Sequence, residues 1–76
     1  MADMLAPNLG QSGMDITIET WFKAEGETIK KGEPLIEISN EKLNQEIPAP
    51  QDGVLTKILV QEGDTAAIGS VIAKID

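Results

Sequence analysis

Seventy-six residues are enough for one modest core, so the chain reads as a single domain, 1–76. Trp21 and Phe22 are its only aromatic residues, and it has neither cysteine nor histidine; that sets aside disulfides, thiolate metal sites and the commonest general base, and with them most hydrolytic and metalloenzyme readings, so no catalytic residue or metal ligand is expected. Six basic residues against thirteen acidic ones give a formal charge of −7, which repels phosphate backbones and suits basic patches on protein partners better than nucleic acid.

In chain order, the amino end Met1-Ala2-Asp3-Met4 lacks the basic start and apolar stretch of a signal peptide. The apolar runs are too short to span a bilayer, so an intracellular domain without a membrane partner is expected. The first clear element is "ITIETWF", residues 16–22, rich in β-branched and large apolar residues and read as a strand, with Trp21 and Phe22 placed in the core. The turn Glu25-Gly26-Glu27-Thr28 follows, its glycine freeing the chain to take a positive φ. A short extended piece and a turn at Gly32 lead to a second strand through Leu35 and Ile38. "GVLTKILV", residues 53–60, can also be scored as a helical face, but its short length and flanking glycines favour a strand.

This order occurs twice. Shifted by 37 positions, Glu25-Gly26-Glu27-Thr28 falls on Glu62-Gly63-Asp64-Thr65, Gly32 on Gly69, Leu35 on Ile72 and Ile38 on Ile75. Upstream, Ile18 meets Leu55, Trp21 meets Ile58 and Phe22 meets Leu59. Turn residues, gaps and apolar positions coincide in one register, which predicts an all-β fold. The expected form is a flattened barrel or sandwich of two small antiparallel sheets related by a pseudo-two-fold axis.

The same shift places Lys42 on Leu5, and in the other direction beyond Asp76. The stretch "ISNEKLNQEI", residues 38–47, is therefore the joint between the halves, with Lys42 expected on a hairpin at the end opposite the termini. A two-residue turn at Glu41-Lys42 sets Ile38 opposite Gln45 and Ile36 opposite Ile47, whereas a three-residue turn sets Ile36 against Pro48. The even loop keeps the apolar set on one face. Glu-Lys is nonetheless a poor pair for such a turn, which usually wants Asn-Gly or another glycine-containing pair.

With these residues in view, the chain resembles a lipoyl domain of a 2-oxo acid dehydrogenase complex acyltransferase, within the biotinyl/lipoyl carrier family. The likeness runs from "APNLG" through "WFKAEGETIKKGEPLIEI", "EKL" and "EIPAPQDGVLTKILVQEGD" to "IGSVIAKI". It departs at Leu43, where the family commonly has alanine, and at Ile16, which stands where the family has glycine. These departures leave the branch open, an acetoin-cleaving complex included.

The resemblance implies a non-catalytic carrier. Lys42, flanked by Asn40, Glu41 and Leu43, would hold lipoic acid covalently as a swinging arm carrying acyl groups and electrons. Implied partners are a lipoate-protein ligase or lipoyl transferase, a thiamine diphosphate-dependent decarboxylase, an acyltransferase core and dihydrolipoamide dehydrogenase. The domain itself would be monomeric, in the bacterial cytoplasm or, in a eukaryote, the mitochondrial matrix. The stretch from Leu5 to Asp15 resembles the family's surface loop near the modified lysine. Its centre, Asn8, Leu9, Gly10, Gln11, Ser12, Gly13, Met14 and Asp15, is a second candidate site for partner recognition.

Lys23, Lys30, Lys31, Lys57 and Lys74 read as solvated charges. A biotinyl carrier is the nearest rival, but that branch brackets its lysine with methionines, and Glu41 and Leu43 stand here. An unmodified acidic β-domain that only binds proteins is the rival from another class.

Overall fold

The computed structural model describes residues 2–8, 15–40 and 43–76. Eight strands form β1 (Ala2–Leu5), β2 (Ile16–Trp21), β3 (Thr28–Ile29), β4 (Pro34–Ser39), β5 (Asn44–Pro48), β6 (Gly53–Ile58), β7 (Thr65–Ala66) and β8 (Val71–Ile75). They make two four-stranded antiparallel sheets, ordered β1-β8-β6-β3 and β5-β4-β2-β7, with no helix among the described residues. The segment with two possible readings, 53–60, is a strand as far as Ile58.

The internal symmetry extends to individual hydrogen bonds. Gly26 N–H donates to Leu55 O at 2.7 Å, and Gly63 N–H to Ile18 O at 2.8 Å. Phe22 N–H reaches Leu35 O and Leu59 N–H reaches Ile72 O, both at 2.9 Å. The halves are interlocked: β3 of the first pairs with β6 of the second, and β7 with β2.

The glutamate that opens each turn completes the exchange. Ile58 N–H donates to a Glu25 carboxylate oxygen at 2.7 Å, and Trp21 N–H donates to Glu62 at 2.8 Å. Each carboxylate thus takes an N–H that the other half's strand leaves unpaired at its end, a charge-assisted bond. We expect Glu25→Ala and Glu62→Ala each to cost about 1 kcal/mol, and the double variant to cost close to their sum, measured by urea unfolding. If either single variant melts like the parent, its bond is solvent-compensated.

Register also corrects one sequence expectation. The 37-position relation holds for β2 with β6 and β4 with β8, but β1 matches β5 through a different shift. Ala6 exchanges bonds with Gly69 and Ser70 as Ala49 does with Gly32 and Glu33. Met4 pairs with Ala73 as Ile47 pairs with Ile36. Ala6 and Ala49 are 43 positions apart, so Leu5 is the counterpart of Pro48, not of Lys42. The six-position difference lies in the β1–β2 connection, longer by that amount than the β5–β6 connection. Leu5 itself is the last residue of β1 rather than part of a loop.

The core lies between the sheets and is aliphatic, with Ile18 and Leu55, Leu35 and Ile72, and Ile38 and Ile75 as related buried pairs. Ile16, at the position where the resemblance has glycine, is buried and pairs with Ala66. Its counterpart is Gly53, with φ +155°, where a Cβ would stand 2.4 Å from the carbonyl oxygen of Asp76. Glycine is needed in the second half by that close approach.

Phe22 is not a core residue. It is 42% exposed, as is its counterpart Leu59. The cause is a register irregularity in each half, between Ile18 and Thr20 in β2 and between Leu55 and Lys57 in β6. The extra residue shifts the inward position from 20 to 21 and from 57 to 58. Trp21 and Ile58 therefore pack on the core, and the residues after them turn outward. Trp21 keeps its polar end satisfied, donating Nε1–H to Val60 O at 2.9 Å.

Candidate attachment hairpin

Strands β4 and β5 run into the joint in the register of the two-residue turn: Ile36 pairs with Ile47, Ile38 with Gln45 and Ser39 with Asn44. Beyond this ladder, Asn40 N–H donates to Leu43 O at 3.0 Å. The return bond comes from a side chain, as Leu43 N–H donates to Asn40 Oδ1 at 3.2 Å. Asn40 thus supplies the local acceptor that asparagine offers readily at chain reversals. Sequence reasoning missed that role, although an asparagine just ahead of an unfavourable turn pair is a usable signal. Glu41 and Lys42, which join these two residues, lie outside the described residues.

The hairpin base is firm and its flank is open. Ile38 is fully buried, Ser39 is buried with its Oγ–H donating to Glu19 at 2.5 Å, and Leu43 is 40% exposed. Gln45 is exposed although it pairs with Ile38, so β5 passes the edge of the core before the turn. The two residues that close the ladder, Asn40 and Leu43, are thus tied to ordered strands, and Leu43 is partly open to solvent.

The outer face of this sheet carries Glu37 directly opposite Glu46. The equivalent positions in the other half are Lys74 and Asp3, which form an ion pair at 2.6 Å. Like charges facing across a strand pair are mildly destabilising. At this pair of positions the scaffold therefore carries two acids in one sheet and an ion pair in the other.

Of the second candidate site, Leu9, Gly10, Gln11, Ser12, Gly13 and Met14 lie outside the described residues. Asn8 and Asp15, at its two ends, are exposed. Asp15 leads into β2, whose Thr17 pairs with Ser39, so register brings Asp15 to the hairpin end of its sheet. Among the described residues, no group of histidine, cysteine and acidic residues could hold a metal ion and no helix is long and apolar enough to cross a membrane.

The described residues thus form a duplicated two-sheet sandwich whose halves meet between β4 and β5. The chain matches the biotin/lipoyl family model, described as biotin-requiring enzyme, over residues 2–75. It belongs to that family.

Among curated relatives, it is 45% identical over 73 residues to the dihydrolipoyllysine-residue acetyltransferase component of the pyruvate dehydrogenase complex of Corynebacterium glutamicum, covering 96% of this chain and 11% of that protein. It is 41% identical over 76 residues to the dihydrolipoyllysine-residue succinyltransferase component of the 2-oxoglutarate dehydrogenase complex of Cupriavidus necator, covering 100% of this chain and 18% of that protein. The chain therefore spans less than a fifth of either relative. The lipoyl domain of the Azotobacter vinelandii 2-oxoglutarate dehydrogenase complex has the same fold, with a TM-score of 0.83 and 36% identity over 100% of this chain and 96% of that one.

Proposed function

We propose that the chain is a lipoyl carrier domain in which Lys42 holds lipoic acid in amide linkage, at the end of the domain opposite its termini. The observation that carries this reading is the β4–β5 register, whose closing residues Asn40 and Leu43 have only Glu41 and Lys42 between them. The relatives' names support a lipoyl group over biotin, and Glu41 and Leu43 beside the lysine agree with that choice.

The bound group supplies a disulfide that accepts an acyl group on one sulfur while the other becomes a thiol. On this reading, a thiamine diphosphate-dependent decarboxylase loads the arm and an acyltransferase core moves the acyl group to coenzyme A. Dihydrolipoamide dehydrogenase then reoxidises the dithiol. The domain contributes a rigid base, an acidic face and a raised local concentration of the tethered intermediate. The connection 8–15 would be read by partners alongside the arm, since Asp15 lies at the hairpin end of β2. The parent chain would be a cytoplasmic acyltransferase of a 2-oxo acid dehydrogenase complex.

The test is reductive acylation. Lipoylated domain, incubated with pyruvate or 2-oxoglutarate and the matching decarboxylase, should be acylated far faster than free lipoamide at equal concentration. Equal rates with every decarboxylase would remove the carrier role.

A further inference from the structure

Both aromatic side chains of the protein line one open cleft of about 470 Å³, with Ala24, Ile58 and the carboxylates of Glu27 and Glu62 among its other walls. The cleft lies where the halves cross. Trp21 pairs with Ile36, while Thr17 pairs with Ser39 beside the hairpin, so the aromatic pair sits roughly 13 Å down β2 from that end.

The scaffold does not demand aromatic residues there. The equivalent positions in the other half are Ile58 and Leu59, in the same backbone setting. Phe22 is also held 42% exposed.

The polar groups of the cleft are ordered. Glu62 accepts Trp21 N–H at 2.8 Å and Glu27 accepts Ala24 N–H at 2.6 Å, each through one oxygen, which leaves a second oxygen on each carboxylate for a ligand. Lys23 also lines the cleft, with its Nζ 3.9 Å from the Glu33 carboxylate. The N–H groups of Trp21, Ala24 and Ile58 are already spent on carboxylates, so a partner is read through side chains and not by strand addition.

We propose that this cleft docks a basic, apolar-flanked segment of a partner polypeptide. A lysine or arginine head lies near Glu27 and Glu62, and its stem and a neighbouring apolar side chain lie against Trp21 and Phe22. A cation beside an aromatic face and two carboxylates is favoured, and the net charge of −7 draws such a segment in. The site is independent of any group on Lys42, and a partner held there leaves the hairpin end uncovered.

The probe is a short capped peptide alternating lysine and leucine, titrated into the ¹⁵N-labelled domain, with a glutamate–leucine peptide as control. Saturable shifts are expected at the Trp21 indole N–H and at the amides of Phe22, Lys23, Ala24 and Gln61, with none from the acidic peptide. Phe22→Ser should weaken binding about tenfold. Leu59→Ser, equally exposed but not part of the cleft lining, should bind like the parent. The proposal is overturned by absence of binding, by shifts centred on the Glu37 and Glu46 face, or by equal loss in the two serine variants.

Discussion

Leu55→Ala should cost about 2–5 kcal/mol, while Leu59→Ala, four residues on, should change stability by no more than ~0.5 kcal/mol. Both are leucines of one apolar segment, yet Leu55 is fully buried between the sheets and Leu59 is 42% exposed. The irregularity between Leu55 and Lys57 separates them by turning position 58 inward and 59 outward.

Truncating Leu55 leaves a cavity in the buried cluster that it shares with Ile18, Ile38 and Ile75, the last its partner across the β6–β8 ladder. Those neighbours belong to paired strands and cannot easily collapse onto the space. A chain of 76 residues has roughly 4–11 kcal/mol of total stability, so Leu55→Ala should take a large share and leave a domain that unfolds at low urea. Equal midpoints for the two variants would mean that β6 is not packed as described.

Most of the fold was legible because duplication places the same demands on the sequence twice. The glycines at 26 and 63 have φ near +90° and stand at matching points of matching turns, and Ile38 and Ile75 fill equivalent positions in β4 and β8. Parity fixed the joint: pairing Ile36 with Ile47 keeps apolar residues on one face only if the turn is even.

Three features were hidden. The irregularities in β2 and β6 carry no residue-type signature, so the expectation that Trp21 and Phe22 are both core fails for Phe22. The six-residue difference in the β1–β2 connection falls where β1 has little apolar pattern, so the 37-position shift was extended to Leu5 where the ladder requires another. In the sequence Asn40 is only a neighbour of Lys42, since its acceptor role depends on Leu43 returning within reach of Oδ1.

The β4–β5 base bears on the lysine in a definite way. Asn40 and Leu43 are linked by one main-chain and one side-chain hydrogen bond, and on the proposed function the ordered strands below them would reduce the backbone entropy a modifying enzyme must overcome. Five other lysines, at 23, 30, 31, 57 and 74, occur along the chain. Lys74 is ion-paired with Asp3, and Lys23 lies near Glu33. None of the five stands at the joint of the halves, so a ligase that reads this hairpin should modify one position and leave the rest untouched.

The most direct measurement is the intact mass of the domain co-expressed with a lipoate-protein ligase and lipoic acid, beside Lys42→Ala made in the same way. The parent should gain one lipoyl group per chain, mapped to Lys42 by peptide sequencing, and Lys42→Ala should gain none while melting like the parent. A parent without the added mass, or a variant that still carries it, would contradict the assignment.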